Sequence, residues 1–356
     1  MRSAILLASL ILPAFIPQPA SAQRVMIRAE LDGRTIDGLP LVLNQRRVIL
    51  VGRDGYLWDF PRPQATSLKK LSESFSAYSA AQMRASLARE YGSKFAVTGT
   101  GHYLIVHPAG QRDQWAGRFE LLYRQFVTYF SKRGYPIHEP RFPLVAVVFA
   151  NYADYRRDAA ARGISLAANV VGYYSPKSNR VSMYSQGGGR RQWHETAATI
   201  IHEATHQTAY NTGVHNRFGQ APAWVVEGLG TMFEARGVWN GSAHPQASDR
   251  INRGQLASFQ SYAAGARPRG MLAEIVAHDR LFRTRPREAY AESWALSFFL
   301  SETQPQRYAA YLSKTAGRQA FRNYTPGQRL ADFTAVFGEN LELLESQYLR
   351  YLKSLR

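Results

Sequence analysis

No segment constrains the fold of this chain more than Ile200-Ile201-His202-Glu203-Ala204-Thr205-His206. Its two imidazoles stand four positions apart, a spacing that places both on one face of an α-helix. Ala197, Ile200, Ile201, Ala204 and Ala209 supply apolar, helix-compatible surroundings, and Asn211-Thr212-Gly213 is a stop signal. A second helix is expected soon after, because Pro222 suits a first helical turn. Trp224, Val225, Leu229, Met232 and Phe233 give that helix a buried surface, and Glu227 stands among them.

Two imidazoles one helical turn apart can reach one ion. Neutral imidazole suits Zn²⁺, and Glu203 projects beside it, where it can take a proton from water. The sequence holds no cysteine, which excludes thiolate ligands, disulfides, a thiolate nucleophile and a lipidated cysteine. A catalytic zinc site needs a third protein ligand and an open position. Glu227 is the leading candidate, since a carboxylate among buried residues is costly unless it is paired with a charge. The rivals are His215, in a loop beyond the helix end, and His194, eight residues before His202 and near the helix start. The metzincin continuation does not fit, because Ala209 and Thr212 stand where Gly and His would be needed.

The first residues read as an address. Arg2 precedes an apolar run from Ala4 to Ile16, and Ala20-Ser21-Ala22 has the small-residue pattern of a cleavage site. The expectation is a signal peptide over residues 1–22, a cut after Ala22 and a periplasmic or secreted protein with no stable membrane span. Residues 23–60 alternate apolar and polar positions between Asp-Gly turn signals and form an expected small β module. A polar linker is expected over 61–79, then a helix from Ala80 to Tyr91 and strands at Phe95–His107 and Pro143–Ala150. Between those strands lies an amphipathic helix at Trp115–Ser131. A hairpin is expected over Gly172–Tyr184, and mainly helix from Thr196 onward. The fold class is therefore α+β, with an α/β part at 80–195 and a mainly helical part at 196–356.

The net charge of +18 favours anionic surroundings. Its positive charges are scattered, however, with Arg46-Arg47, Lys69-Lys70 and Arg190-Arg191 the densest clusters, and no nucleic-acid-binding signature accompanies them. Nucleic acid is not expected as a partner of an exported chain.

Together, His202-Glu203-Ala204-Thr205-His206 and the segment from Trp224 to Glu234 (WVVEGLGTMFE) resemble the gluzincin superfamily of zinc peptidases, which use HExxH and a downstream Glu. From about Lys70 to Leu300 the chain resembles an uncharacterised bacterial domain-of-unknown-function family grouped with the peptidase-MA-like proteins. The matching segments are HYLIVHP (102–108), PLVAVVFA (143–150), GYYSPKSNRVSMY (172–184), IIHEATHQTAYNTG (200–213) and YAESWALSFFL (290–300). The resemblance implies a zincin-like core over 80–356, a zinc cofactor and a metallopeptidase. It also implies that Tyr290 stabilises an oxyanion, against which stands the reading of a core tyrosine packed with Trp294 and Phe298. No amine-anchoring motif of the exopeptidase type is evident.

Three accounts follow. In the first, the chain is a secreted zinc metallohydrolase, a peptidase acting on peptide or protein substrates, with Glu203 as general base. In the second, it is a zinc-stabilised envelope protein without catalysis, holding an anionic cell-wall polymer. In the third, it hydrolyses a non-protein amide such as a cell-wall cross-link. Glu234 reads as a surface or salt-bridge residue rather than a partner of a ligand. Tyr173, Tyr174 and Tyr184 line a groove or pack as strand aromatics, and Asn211 and His215 touch substrate or fix the loop.

Overall fold

The computed structural model describes residues 25–110, 113–167, 170–185 and 190–355, with backbone only for 190–196. The expected signal peptide and its cut therefore lie outside the described residues. The described residues divide into two compact units, 25–53 with Leu57–Ser76, and Asp54–Tyr56 with 77–355.

The first unit is an antiparallel sheet of Met26–Leu31 (β1), Arg34–Leu43 (β2), Arg47–Gly52 (β3), Leu57–Pro61 (β4) and Ala65–Ser72 (β5), in the order β4-β3-β2-β1-β5. Asp32 and Gly33 both take positive φ (49° and 73°), which matches the twist of a two-residue hairpin turn. Alternate positions Ile27, Ala29 and Leu31 point inward with Ile36, Val48, Leu50 and Phe60. Residues 61–79, expected as a linker, instead contain β5, paired with β1. Its polar sequence conceals it, because β5 is an edge strand that turns Ala65 inward while Lys69 and Lys70 stay exposed.

The second unit opens with Ala80–Tyr91 (α1), capped by a reciprocal Ser79–Gln82 box. A mixed sheet follows, built from Phe95–Gly99 (β6), Tyr103–Pro108 (β7), Leu144–Phe149 (β8), Gly172–Ser175 (β9) and Arg180–Tyr184 (β10) in the order β6-β7-β8-β10-β9. Strands β7, β8 and β10 run parallel, while β6 and β9 are antiparallel edges. Phe95–His107, expected as one strand, is a hairpin, since Thr100-Gly101-His102 turns the apolar run back on itself. Helices Ala116–Ser131 (α2) and Tyr152–Ala161 (α3) connect the strands.

Both faces of this sheet are covered. Along β7 and β8, Ile105, Leu144, Ala146 and Val148 face a core shared with α2. Leu104, Val106, Val145, Val147 and Phe149 face a second cluster with Met83 and Leu87 of α1 and Tyr155 of α3. The chain then becomes helical in Arg190–Asn211 (α4), Ala223–Phe233 (α5), Arg236–Trp239 (α6), Arg253–Ala264 (α7), Met271–Ala277 (α8), Arg280–Thr284 (α9), Pro286–Thr303 (α10), Pro305–Ala316 (α11), Pro326–Phe337 (α12) and Leu341–Ser354 (α13). The core on the α2 side runs on through α4, α5 and α10, with Trp224 and Trp294 fully buried in it.

Candidate metal centre

Two neighbouring helices build the centre. Helix α4 is polar on two sides, and each side has its own partner. Glu203, Gln207 and Asn211 recur every four residues and face the sheet. The N–H of Tyr174, on edge strand β9, donates to Glu203 Oε2 at 2.7 Å. Gln207 Nε2 donates to Val145 O and Asn179 O at 3.0 and 2.8 Å. Asn211 and Asn179 exchange amide hydrogen bonds of 2.8 and 2.9 Å, and Tyr174 Oη donates to Asn179 Oδ1 at 2.8 Å. Where the helix is buried, Thr205, Thr208 and Thr212 satisfy their hydroxyls on carbonyls four residues back.

On the side facing α5 stand His202 and His206. Glu227 Oε2 lies 3.1 Å from His202 Nε2 and 3.6 Å from His206 Nε2. One donor atom from each of these three residues falls within 4.8 Å of the other two. Close approach of the helices depends on Gly230, where a Cβ would stand 2.6 Å from His202 Cε1. The donor set, two imidazole nitrogens and one carboxylate oxygen, is the set that a catalytic zinc ion takes from a protein.

A further layer fixes His202. Its Nδ1 donates to Glu234 Oε1 at 2.9 Å, and Asn252 Nδ2 donates to Glu234 Oε2 at 2.8 Å and to Thr231 O at 3.0 Å. The structure thus gives Glu234 a place against a ligand candidate rather than on the open surface. The signal was its position seven residues after Glu227, which returns to the same helix face. Nothing in the sequence marks Asn252 or the Tyr174 N–H.

The electrostatics follow from burial and crowding. Burial raises the Glu203 carboxyl above its ordinary value, and the two imidazoles and the Tyr174 N–H only partly oppose this. Burial would also raise Glu227, but the charge of His206 and the hydrogen bonds of both imidazoles hold it well below the usual carboxylate range. At His202 the hydrogen bonds to Glu227 and Glu234 outweigh desolvation, so its affinity for a cation in the form of a proton is well above normal.

Tyr290 comes to the centre from α10. Its ring lies 6.3 Å from the His202 ring and 5.6 Å from the Phe282 ring, close enough for the phenol to feel the Glu227 charge. Burial and the Glu227 charge keep the phenol protonated. His215 is buried, with Nδ1 on its neighbour's carbonyl, and belongs to no three-ligand group among the described residues. The side chain of His194 lies outside the described residues. Tyr173 and Tyr184 pack on Tyr155, whereas Tyr174 reaches the site through its backbone.

A family model described as "Protein of unknown function (DUF1570)" matches residues 196–322, which include His202, His206 and Glu227. No curated protein matches the chain by sequence. Among solved structures the chain is similar to an M1 zinc metallopeptidase of Deinococcus radiodurans, at 14% identity and a TM-score of 0.39, over 73% of this chain and 51% of that one. A second structure of an M1 zinc metallopeptidase from that organism, bound to a Tyr-Ser-Ala substrate, gives 13% identity and a TM-score of 0.40, over 72% and 50%. The chain spans about half the length of these neighbours.

Proposed function

We propose that the chain is an exported zinc metallohydrolase of gluzincin type, with a zincin-like core, that cleaves amide bonds in peptides. One observation carries this reading: His202 Nε2, His206 Nε2 and Glu227 Oε2 converge from two helices, with the buried Glu203 carboxylate one residue from the first ligand. Zinc held by these atoms supplies Lewis acidity and makes water nucleophilic near neutral pH.

The chain's own residues do the rest. Glu203, oriented by the Tyr174 N–H, accepts the proton of the attacking water and passes it to the leaving amine. Burial suits that role, because a raised proton affinity brings the carboxylate nearer to working pH. Tyr290 keeps its proton and so can donate a hydrogen bond to an oxyanion. Glu234 and Asn252 hold the His202 ring and its tautomer. A purely structural metal site has no need of a general base beside its ligands, and the buried Glu203 carboxylate supports the catalytic reading over the structural one.

The test is Glu203→Gln in the purified chain, with zinc content measured beside digestion of a peptide library. Zinc is expected to stay at wild-type level while chelator-sensitive cleavage falls by about 10²–10⁴-fold. Cleavage at the wild-type rate contradicts the mechanism. A zinc-loaded wild type that cleaves wall fragments but no peptide moves the substrate to a non-protein amide.

A further inference from the structure

His215 is 2% exposed and packs on Tyr210, one turn beyond His206 on α4, where the proposed chemistry gives it no task. At Gly213, with φ of 88°, the chain turns back on α4, so that the His215 N–H reaches Ala209 O at 3.0 Å. Its ring meets Tyr210 edge-on at 5.4 Å. Nδ1 lies 3.0 Å from Val214 O, and a carbonyl only accepts, so Nδ1 carries the proton. Nε2 is left with a lone pair, buried, and without a hydrogen-bond partner. The charged groups this ring feels are His206 and Glu227.

His206 has the complementary deficit. Its Nε2 faces Glu227, and its Nδ1 is buried without a partner. An imidazole that gives its Nε2 lone pair to a cation must carry its hydrogen on Nδ1. Leaving that N–H unsatisfied in the interior is unfavourable, because the water it gives up is not replaced by another acceptor. His202 has no such deficit, since Glu234 accepts from its Nδ1.

We propose that His215 is the positioning residue for His206, its Nε2 accepting the Nδ1 hydrogen through one buried water or a small rotation of the two rings. This rests on the reading of His202, His206 and Glu227 as a metal site. The arrangement is asymmetric: His202 has a charged acceptor that raises its basicity, while His206 has a neutral one that fixes its ring without adding charge to a centre that already holds Glu203, Glu227 and Glu234.

The test measures zinc affinity of the full chain, stripped of metal and titrated against a competing chromogenic chelator, together with thermal unfolding of the metal-free form. His215→Leu removes the acceptor and is expected to weaken zinc binding by about 10–100-fold. His215→Gln offers an amide oxygen near the Nε2 position and is expected to restore most of the affinity. The proposal is overturned if the Leu variant binds within about twofold of wild type, or if the Gln variant is as weak as the Leu variant. A wild type that takes up no zinc overturns the metal reading and this one together, whereas zinc uptake indifferent to His215 removes only the second. Should the Leu variant fail to fold, the proton spectrum of the zinc-loaded wild type decides. A slowly exchanging His206 Nδ1–H is expected, and exchange at the solvent rate contradicts the proposal.

Discussion

A buried carboxylate persists only where donors or cations replace the water it loses, and Glu120 shows how completely that can be done. It accepts from Thr100 Oγ1 at 2.8 Å, the His102 N–H at 3.1 Å, His102 Nδ1 at 2.9 Å and Arg124 Nε at 2.9 Å. Burial alone would raise its pKa, yet these bonds bring it down to about 2 from an ordinary 4.5. A folded-state pKa below the unfolded one means that the stabilisation is complete above pH 4.5 and is lost as pH falls towards 2. Glu120→Gln is therefore expected to flatten the pH dependence of unfolding free energy between those values, read by urea denaturation across a pH series. An unchanged slope in the variant means that this carboxylate does not carry the effect. Glu234 is likewise held at the candidate metal centre, where Asn252 and His202 take the place of solvent.

Elements meet at the centre because small residues let them. A Cβ on Gly230 would stand 2.6 Å from His202 Cε1 and 2.9 Å from both ring nitrogens, so α5 reaches the imidazole only without a side chain there. Gly230→Ala is an overpacking change of the kind that costs about 1–3 kcal/mol, and its strain falls on a ligand candidate. Zinc affinity is expected to drop about tenfold or more, corresponding to the middle of that range, while Gly327→Ala, with open space around it, leaves affinity unchanged. Equal zinc binding by both variants would remove Gly230 from the account. Elements with strong periodicity were legible in the sequence: α1 spans the expected residues, and α2 shows its face through Phe119, Leu122, Phe126 and Phe130. Others were not. The β6–β7 hairpin hides in one apolar run, β5 is polar because it is an edge, and α3 is rich in Arg, Asp and Ala with little apolar face. The His202–His206 spacing is visible because helix geometry alone brings those side chains together. The Tyr174 N–H is invisible because any residue supplies a backbone donor, and Asn252 because only tertiary packing brings it near.

At the scale of the whole molecule, a basic chain of net charge +18 gathers acidic side chains where they are needed inside. The Arg267 side chain, 4% exposed, holds Glu292 of α10 and Glu345 of α13. Such buried pairs specify which elements meet more than they stabilise, since desolvation offsets most of their attraction. Among the described residues no helix is long and apolar enough to cross a membrane. Within the second unit, the acidic groups of the candidate metal centre stand apart from these pairs because imidazoles, not guanidinium groups, face Glu227. The most direct measurement is therefore the anomalous signal at the zinc edge from crystals grown with the metal. One ion per chain is expected at about 2.0–2.2 Å from His202 Nε2, His206 Nε2 and a Glu227 oxygen, with a further coordination position open. An ion bound elsewhere, or none at these three atoms, contradicts this expectation.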